Sequence, residues 1–330
     1  MVKHEVWKKV LKTDLPAWAK VLTSTWAMKK KSNGTFRARI NARGYKQVDG
    51  QHYEEHDISA PVTNEITIRI VLTLMIMASW HGTLLDVIGA FLNGEFEAGE
   101  ELYMEVPKGF EKFYDPVLYV LYLLKTLYGL KQSAKQFWRM LLRAFRSMGF
   151  QKSKIDPCLY HKWTEEGLVL WVSWVDDCLV VGPKEAMEKA KEEFQQRFDC
   201  DDVGGMDEYI GCKLERNWDE GWIKFTQPVL IQSLSDEFNL PEDGPEPLTP
   251  TEAGQILMPC KEGEGMNPVG QTKYRSGVGK LLHMMRWSRP DVLNPVREQS
   301  RHMKEANQAH MKFEENYEVL HKHSNEGGGV

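Results

Sequence analysis

Residues 171–182 read WVSWVDDCLVVG. Two adjacent carboxylates, Asp176 and Asp177, interrupt two apolar runs rich in Val and Trp, and Gly182-Pro183 closes the second run. Runs of this composition, bounded by turn residues, read as strands. An ionised carboxylate in such a setting costs free energy unless something compensates it, and two side by side also repel. Successive strand residues point to opposite faces, so the pair meets at one point only if the backbone turns at 175–177. Asp86 closes a third apolar stretch, TLLDV at 83–87. Two readings stay open at this level: carboxylates capping a surface turn, or three aspartates from neighbouring strands forming a hard, oxygen-only site. The second suits Mg²⁺, which keeps some waters and completes its octahedron with substrate phosphates.

Outward from this stretch, strands and helices alternate. CLYHKW and LVLWVSWV bracket TEEG as one hairpin, and WAMKK (26–30) and FRARINA (36–42) bracket Ser32-Asn33-Gly34 as another, Asn-Gly being a strong turn signal. EYIGCKLERN and GWIKFTQ read as a further strand pair, and ELYMEVP as a strand ended by Pro107. Residues 65–80 read as a buried helix, 131–149 as an amphipathic helix stopped by Gly149, and 184–198 as a charged helix. Residues 5–22 carry helical periodicity broken at Pro16. From Pro228 the pattern is helical, with a Pro- and Gly-rich loop at 241–270. The expected class is α+β, built on an antiparallel sheet.

The 330 residues are 42% hydrophobic and 27% charged, which suits a globular chain with a real core. The most apolar stretch, 66–80, contains Arg69 and is too short to span a bilayer, and the polar start shows no signal peptide. The five cysteines form no CxxC pair, which argues for a reducing compartment and against a structural zinc site. The net charge of −5 hides strong patterning. Residues 1–50 and 111–160 carry net charges of +9 and +6, whereas 51–110 carries −8. Basic blocks are either solvated surface or the footprint of a nucleic-acid channel, and charge alone does not choose between them.

The ordered set LLDVIGAFLNGE, LYMEVPKGF, LLKTLYGLKQ, GFQKSKIDPCLY and WVDDCLVVG closely resembles the reverse transcriptase of copia-type LTR retrotransposons. The likeness extends upstream through TWAMKKKSNGTFRARINARGYKQ and downstream through EYIGCKL and YRSGVGKLLHMMRWSRPDV. It implies a right-hand polymerase of fingers (about 18–80 and 107–140) and palm (about 81–106 and 141–227). A helical, thumb-like region follows at 228–330, and HKHSNEGGGV falls where the family continues into RNase H.

By the same resemblance, Asp86, Asp176 and Asp177 are the catalytic, metal-binding carboxylates. They would hold two Mg²⁺ ions (or Mn²⁺) that activate a primer 3′-hydroxyl. Phe91 matches the bulky residue that excludes a ribose 2′-hydroxyl, and the N–H groups of Ala90 and Phe91 would cradle a triphosphate. Lys30, Arg37, Arg39 and Gln132 are nucleotide-binding candidates. Lys131, Trp174, Tyr209 and Gly211 are primer or template candidates; Trp174 stands where the wider family has Tyr. Gly129 would let backbones approach closely. Implied partners are an RNA or DNA template with primer and deoxynucleoside triphosphates, with RNase H and integrase supplied from elsewhere and no membrane. The implied location is a cytoplasmic particle or the nucleus. The competing function is a catalytically silent remnant of the element that only binds nucleic acid.

Overall fold

The computed structural model describes residues 5–30, 34–240, 256–311, 320 and 328–329. In chain order its strands and α-helices are β1 (Trp7–Leu11), β2 (Val21–Leu22), β3 (Ser24–Lys30), β4 (Phe36–Ala42), α1 (Glu65–Met77), β5 (His81–Val87), β6 (Tyr103–Glu105), β7 (Tyr119–Leu123) and α2 (Ser133–Ser147). There follow β8 (Gln151–Lys152), β9 (Leu159–Trp163), β10 (Leu168–Trp174), β11 (Asp177–Gly182), α3 (Lys184–Gln195), β12 (Cys200–Gly204), β13 (Glu208–Tyr209), β14 (Cys212–Asn217) and β15 (Trp222–Thr226). The last are α4 (Pro228–Phe238), α5 (Pro268–Trp287), α6 (Leu293–Ser300) and β16 (Gly328–Gly329). Contacts divide the chain into two units: Met1–Ile68 with His81–Gly204, and Arg69–Trp80 with Gly205–Val330. The strands at 208–226 thus cluster with the helices that follow them. No helix among the described residues is long and apolar enough to cross a membrane.

The first unit is built on a six-stranded antiparallel sheet, ordered β12-β5-β11-β10-β9-β8. One face of it is apolar because Leu85, Val87, Trp171, Cys178 and Val180 alternate with residues that point away. Helices α2 and α3 cover that face. Phe145 of α2 stacks on Tyr160 at 4.2 Å, and Phe194 of α3 packs on Trp171 at 4.8 Å. All four rings are fully buried, each worth about 1.5–3 kcal/mol. Beside this sheet lie a four-stranded sheet, β1-β7-β6-β2, and the two-stranded β3–β4 ribbon.

Asp156 ties two segments distant in sequence, TNEIT at 63–67 and IDPCLY at 155–160. Its buried carboxylate accepts from Asn64 N (2.9 Å) and Thr67 Oγ1 (2.7 Å), which caps the start of α1, and from Cys158 N (2.9 Å). A buried carboxylate with three donors is satisfied, so TNEIT and IDPCLY are tied by structure.

In the second unit β14 and β15 form the predicted antiparallel pair, and α4, α5 and α6 enclose a core that includes Leu234, Tyr274, Leu281 and Val296. Asn267 caps α5 by accepting from Gly270 N at 2.8 Å.

Two expectations need correction. Residues 7–11 form no helix: they pair with β7 in register Trp7↔Leu123 to Leu11↔Tyr119. An available sheet edge overrides weak helical periodicity, burying Trp7 and leaving Lys8 and Lys9 outside. EYIGCKLERN is not one strand either. Ile210 (φ +50°) and Gly211 (φ +72°) make a tight turn that returns Tyr209 against Cys212. Of the β3–β4 hairpin, the turn residues 31–33 lie outside the described residues.

Candidate active site

The turn that the aspartate pair requires is present. Trp174 pairs with Asp177, so β10 and β11 are joined by two residues, Val175 and Asp176. Val175 has φ +57°. A positive φ at the first turn residue fits the twist of a two-residue hairpin. For a branched side chain it costs about 1–2 kcal/mol, and such strain clusters at functional sites.

Register then places the carboxylates. Asp177 lies opposite Asp86, and Asp86 lies opposite Asp201 on its other flank. Directly paired residues share a face. Trp174, Asp177, Asp86 and Asp201 therefore form a row across four strands, on the face opposite the aromatic core. Asp176, in the turn, escapes the alternation, and its carbonyl accepts from Val87 N at 3.0 Å. The Asp177 carboxyl is pushed up to about 6, first by burial and then by the negative charges of Asp176 and Asp86. The structure thus brings the three predicted aspartates together, and adds Asp201, which the sequence reading missed. Its signal is visible only once strand register is known.

Beyond Asp86 the chain makes a short helical turn at Ala90–Leu92. Ala90 is buried, and the first N–H groups of such a turn have no partner within it. The Phe91 carbonyl accepts from Thr126 Oγ1 at 2.5 Å, and its ring meets Tyr128 edge-on at 5.0 Å. Over the Tyr128 ring lies the Arg39 guanidinium, 4.6 Å from its centroid. Arg39 is on β4, and Ala42 N of that strand donates to Tyr128 O at 2.8 Å. Glycines permit this approach. A Cβ on Gly129 (φ +89°) would lie 2.2 Å from Ala42 O, and one on Gly44 would lie 2.0 Å from Gly129 O. The expected role of Gly129 as a close-approach residue has this geometric basis.

The remaining candidates divide. Lys29↔Arg37 and Ala27↔Arg39 pair across the ribbon, so Lys29, Arg37 and Arg39 share one face. Lys30 pairs with Phe36, lies over its ring at 5.8 Å, and is on the opposite face from Arg37 and Arg39. Lys29 thus joins the arginine face by register, which the sequence reading, having no register across the turn, did not name. Gln132, expected at the nucleotide, is held by internal partners. It is 2% exposed, accepts from Gln47 Nε2 (2.9 Å) and donates to His52 O (2.8 Å). Its amide fastens the 47–52 segment to the start of α2. Lys131 is exposed, and its ammonium donates to the Tyr53 hydroxyl. Tyr209, buried, and Gly211 lie in the second unit.

Among the described residues no three carboxylate, thiol or imidazole groups stand close enough to make a ready ligand cage. That pattern fits Mg²⁺, which takes one or two protein carboxylates and draws its other ligands from water and phosphate. The donors are oxygen-only, and burial together with the charges of Asp176 and Asp86 makes the ionised form of Asp177 costly.

The chain matches the family model described as reverse transcriptase (RNA-dependent DNA polymerase) over residues 4–253. It is 30% identical over 308 residues to the retrovirus-related Pol polyprotein from transposon TNT 1-94 of Nicotiana tabacum, covering 90% of this chain and 23% of that one. The Pol polyprotein from transposon RE1 of Arabidopsis thaliana is 29% identical over 314 residues, covering 92% and 20%. This chain therefore spans about a fifth of the length of those two relatives. Among solved structures, a foamy viral protease-reverse transcriptase in complex with double-stranded DNA aligns at a TM-score of 0.46 and 10% identity, covering 99% of this chain and 46% of that one.

Proposed function

The chain belongs to the reverse transcriptase (RNA-dependent DNA polymerase) family, of the copia retrotransposon type, and on that premise we propose that it is a polymerase core which extends a primer 3′ end with deoxynucleotides along an RNA or DNA template. The observation that carries this reading is the cross-strand meeting of Asp86 and Asp177, with Asp176 in the adjoining turn.

Asp86, Asp176 and Asp177 would hold two Mg²⁺ ions, or Mn²⁺. When bound, the metal supplies neutralisation of phosphate charge and a more acidic primer hydroxyl. The chain's own work is positioning. The sheet fixes Asp86 and Asp177 by backbone pairing, and the turn aims Asp176. Arg39, with Arg37 and Lys29 on the same ribbon face, supplies positive charge for a triphosphate. The N–H groups of Ala90 and Phe91 add donors, and the Phe91 ring excludes a 2′-hydroxyl. Trp174, in the carboxylate row, borders the primer end. Tyr209 and Gly211 as primer contacts rest on the resemblance alone. So does the division into fingers, palm and thumb, and so do the partners RNase H and integrase.

The test is primer extension on poly(rA)–oligo(dT) with Mg²⁺ and with Mn²⁺, comparing wild type with Asp176→Asn/Asp177→Asn. Extension by the wild type alone supports the reading. A folded wild type that binds duplex in a salt-dependent way yet never extends it replaces that reading with the silent, nucleic-acid-binding one.

A further inference from the structure

Tyr128 belongs to none of the roles assigned above, yet it touches three of the groups that carry them. Its ring meets Phe91 edge-on at 5.0 Å. Its face carries the Arg39 guanidinium, 4.6 Å from the centroid. Its carbonyl accepts from Ala42 N at 2.8 Å, which docks β4 onto this segment. The side chain is half-buried, and its hydroxyl interacts with the Arg39 side chain by hydrogen bonding as well as charge and feels the negative charges of Asp176 and Asp86.

Each contact has a physical consequence. Arg39 projects from a two-stranded ribbon, and such a ribbon is weakly stable by itself. A long side chain there loses much rotamer freedom when it settles in one place. An aromatic face beneath the guanidinium supplies that place by cation–π attraction. Phe91, in turn, can reject a 2′-hydroxyl only if its ring cannot swing away. Phe137 also contacts it, at a longer 6.5 Å. Tyr128 is the nearer ring.

We propose that Tyr128 is a positioning residue of the nucleotide site, which seats Arg39 for the triphosphate and braces Phe91 against ribonucleotides. The proposal rests on the polymerase reading above and deepens it. It gives LYGLKQ a role centred on its tyrosine rather than on Gln132. The ring carries most of the role, so Tyr128→Phe, which loses only the hydroxyl's bond to Arg39, is expected to stay much closer to wild type than Tyr128→Leu, which removes both seat and brace.

The experiment uses the full chain with a primer–template ended by a 3′-dideoxynucleotide, so that no chemistry is needed. Equilibrium binding of dTTP and of UTP is measured with Mg²⁺ for wild type, Tyr128→Phe, Tyr128→Leu, Arg39→Ala and the Arg39→Ala/Tyr128→Leu double variant. Tyr128→Leu should weaken dTTP binding by roughly five- to tenfold, the range expected for losing one cation–π seat. It should also narrow the dTTP-to-UTP preference. The double variant should bind dTTP no worse than Arg39→Ala, because the two residues act through one contact. Tyr128→Phe serves as the folding control. Additive losses, or a Tyr128→Leu variant that keeps the wild-type preference, overturn the proposal. So does a wild type that binds duplex but no nucleotide. Failure of the polymerase reading looks different: dTTP is bound and discriminated normally, but an unblocked primer is never extended.

Discussion

Helix α2 and the β3–β4 ribbon carry the two basic blocks that charge counting marks, and they use their cations in opposite ways. On α2, Arg139 bridges Asp57 and Glu97, Arg143 meets Glu95 at 3.0 Å, and Lys135 meets Asp57 at 3.7 Å. All three acids come from the acidic block 51–110, so two stretches of opposite sign neutralise one another in the fold. On the ribbon, no ion pair among the described residues involves Lys29, Lys30 or Arg37. Positive charge on a helix packed against an acidic neighbour reports packing. Positive charge on an exposed two-stranded ribbon stays open to solvent.

The largest effect should come from separating the ribbon from its dock. Gly129→Ala puts a Cβ 2.2 Å from Ala42 O in a left-handed backbone position. The backbone penalty alone is about 1–2 kcal/mol, and the clash forces β4 to shift. A displacement of about 1 Å at a reacting site can cost roughly a hundredfold in rate. Primer extension by Gly129→Ala is therefore expected to fall by about that factor while the six-stranded sheet stays folded. Wild-type extension and an unchanged melting temperature would show that the ribbon is not held there.

A smaller effect separates the two basic regions directly. Lys29→Ala/Arg37→Ala should reduce the slope of log affinity against log salt by roughly 1.5, the value for two lost phosphate contacts. Lys135→Ala/Arg143→Ala should leave that slope unchanged and lower stability by no more than about 1 kcal/mol per exposed pair. Equal slopes for both variants would erase the distinction between the regions.

What the sequence made legible follows the same division. The helices at 65–77, 133–147 and 184–195 and the hairpin around TEEG were readable because periodicity and turn residues act locally. The place of Asp86 beside Asp176 and Asp177 came from the resemblance, whereas the turn between the strands was readable because adjacent aspartates between apolar runs demand one. Contacts set by register were not. Asp201 joins Asp86 only through β12–β5 pairing. Lys29 shares the face of Arg37 and Arg39 only through β3–β4 pairing. The burial of Gln132 and the contact of Tyr128 with Phe91 likewise follow from three-dimensional packing, which LYGLKQ as a string does not display. Residues 7–11 became a strand because β7 offered an edge.

The carboxylates sharpen the comparison from the other side. Burial and the charges of Asp176 and Asp86 hold the Asp177 carboxyl at about 6, above the ordinary carboxylate value of 3.8. Between those two values the folded protein keeps a proton that the unfolded chain has released. This group's contribution to stability is therefore highest below pH 4, falls as pH rises from about 4 to 6, and stays at its lower level above that. Asp177→Asn removes the titration. In metal-free buffer its melting temperature should match wild type near pH 4 and exceed it by a few degrees above pH 6. Added Mg²⁺ at pH 7 should narrow the gap by stabilising wild type more than the variant. A gap that is constant from pH 4 to pH 7, or one that Mg²⁺ leaves untouched, would mean that the repulsion is already relieved within the chain, and the contrast with α2 would then fail at the site where it matters most.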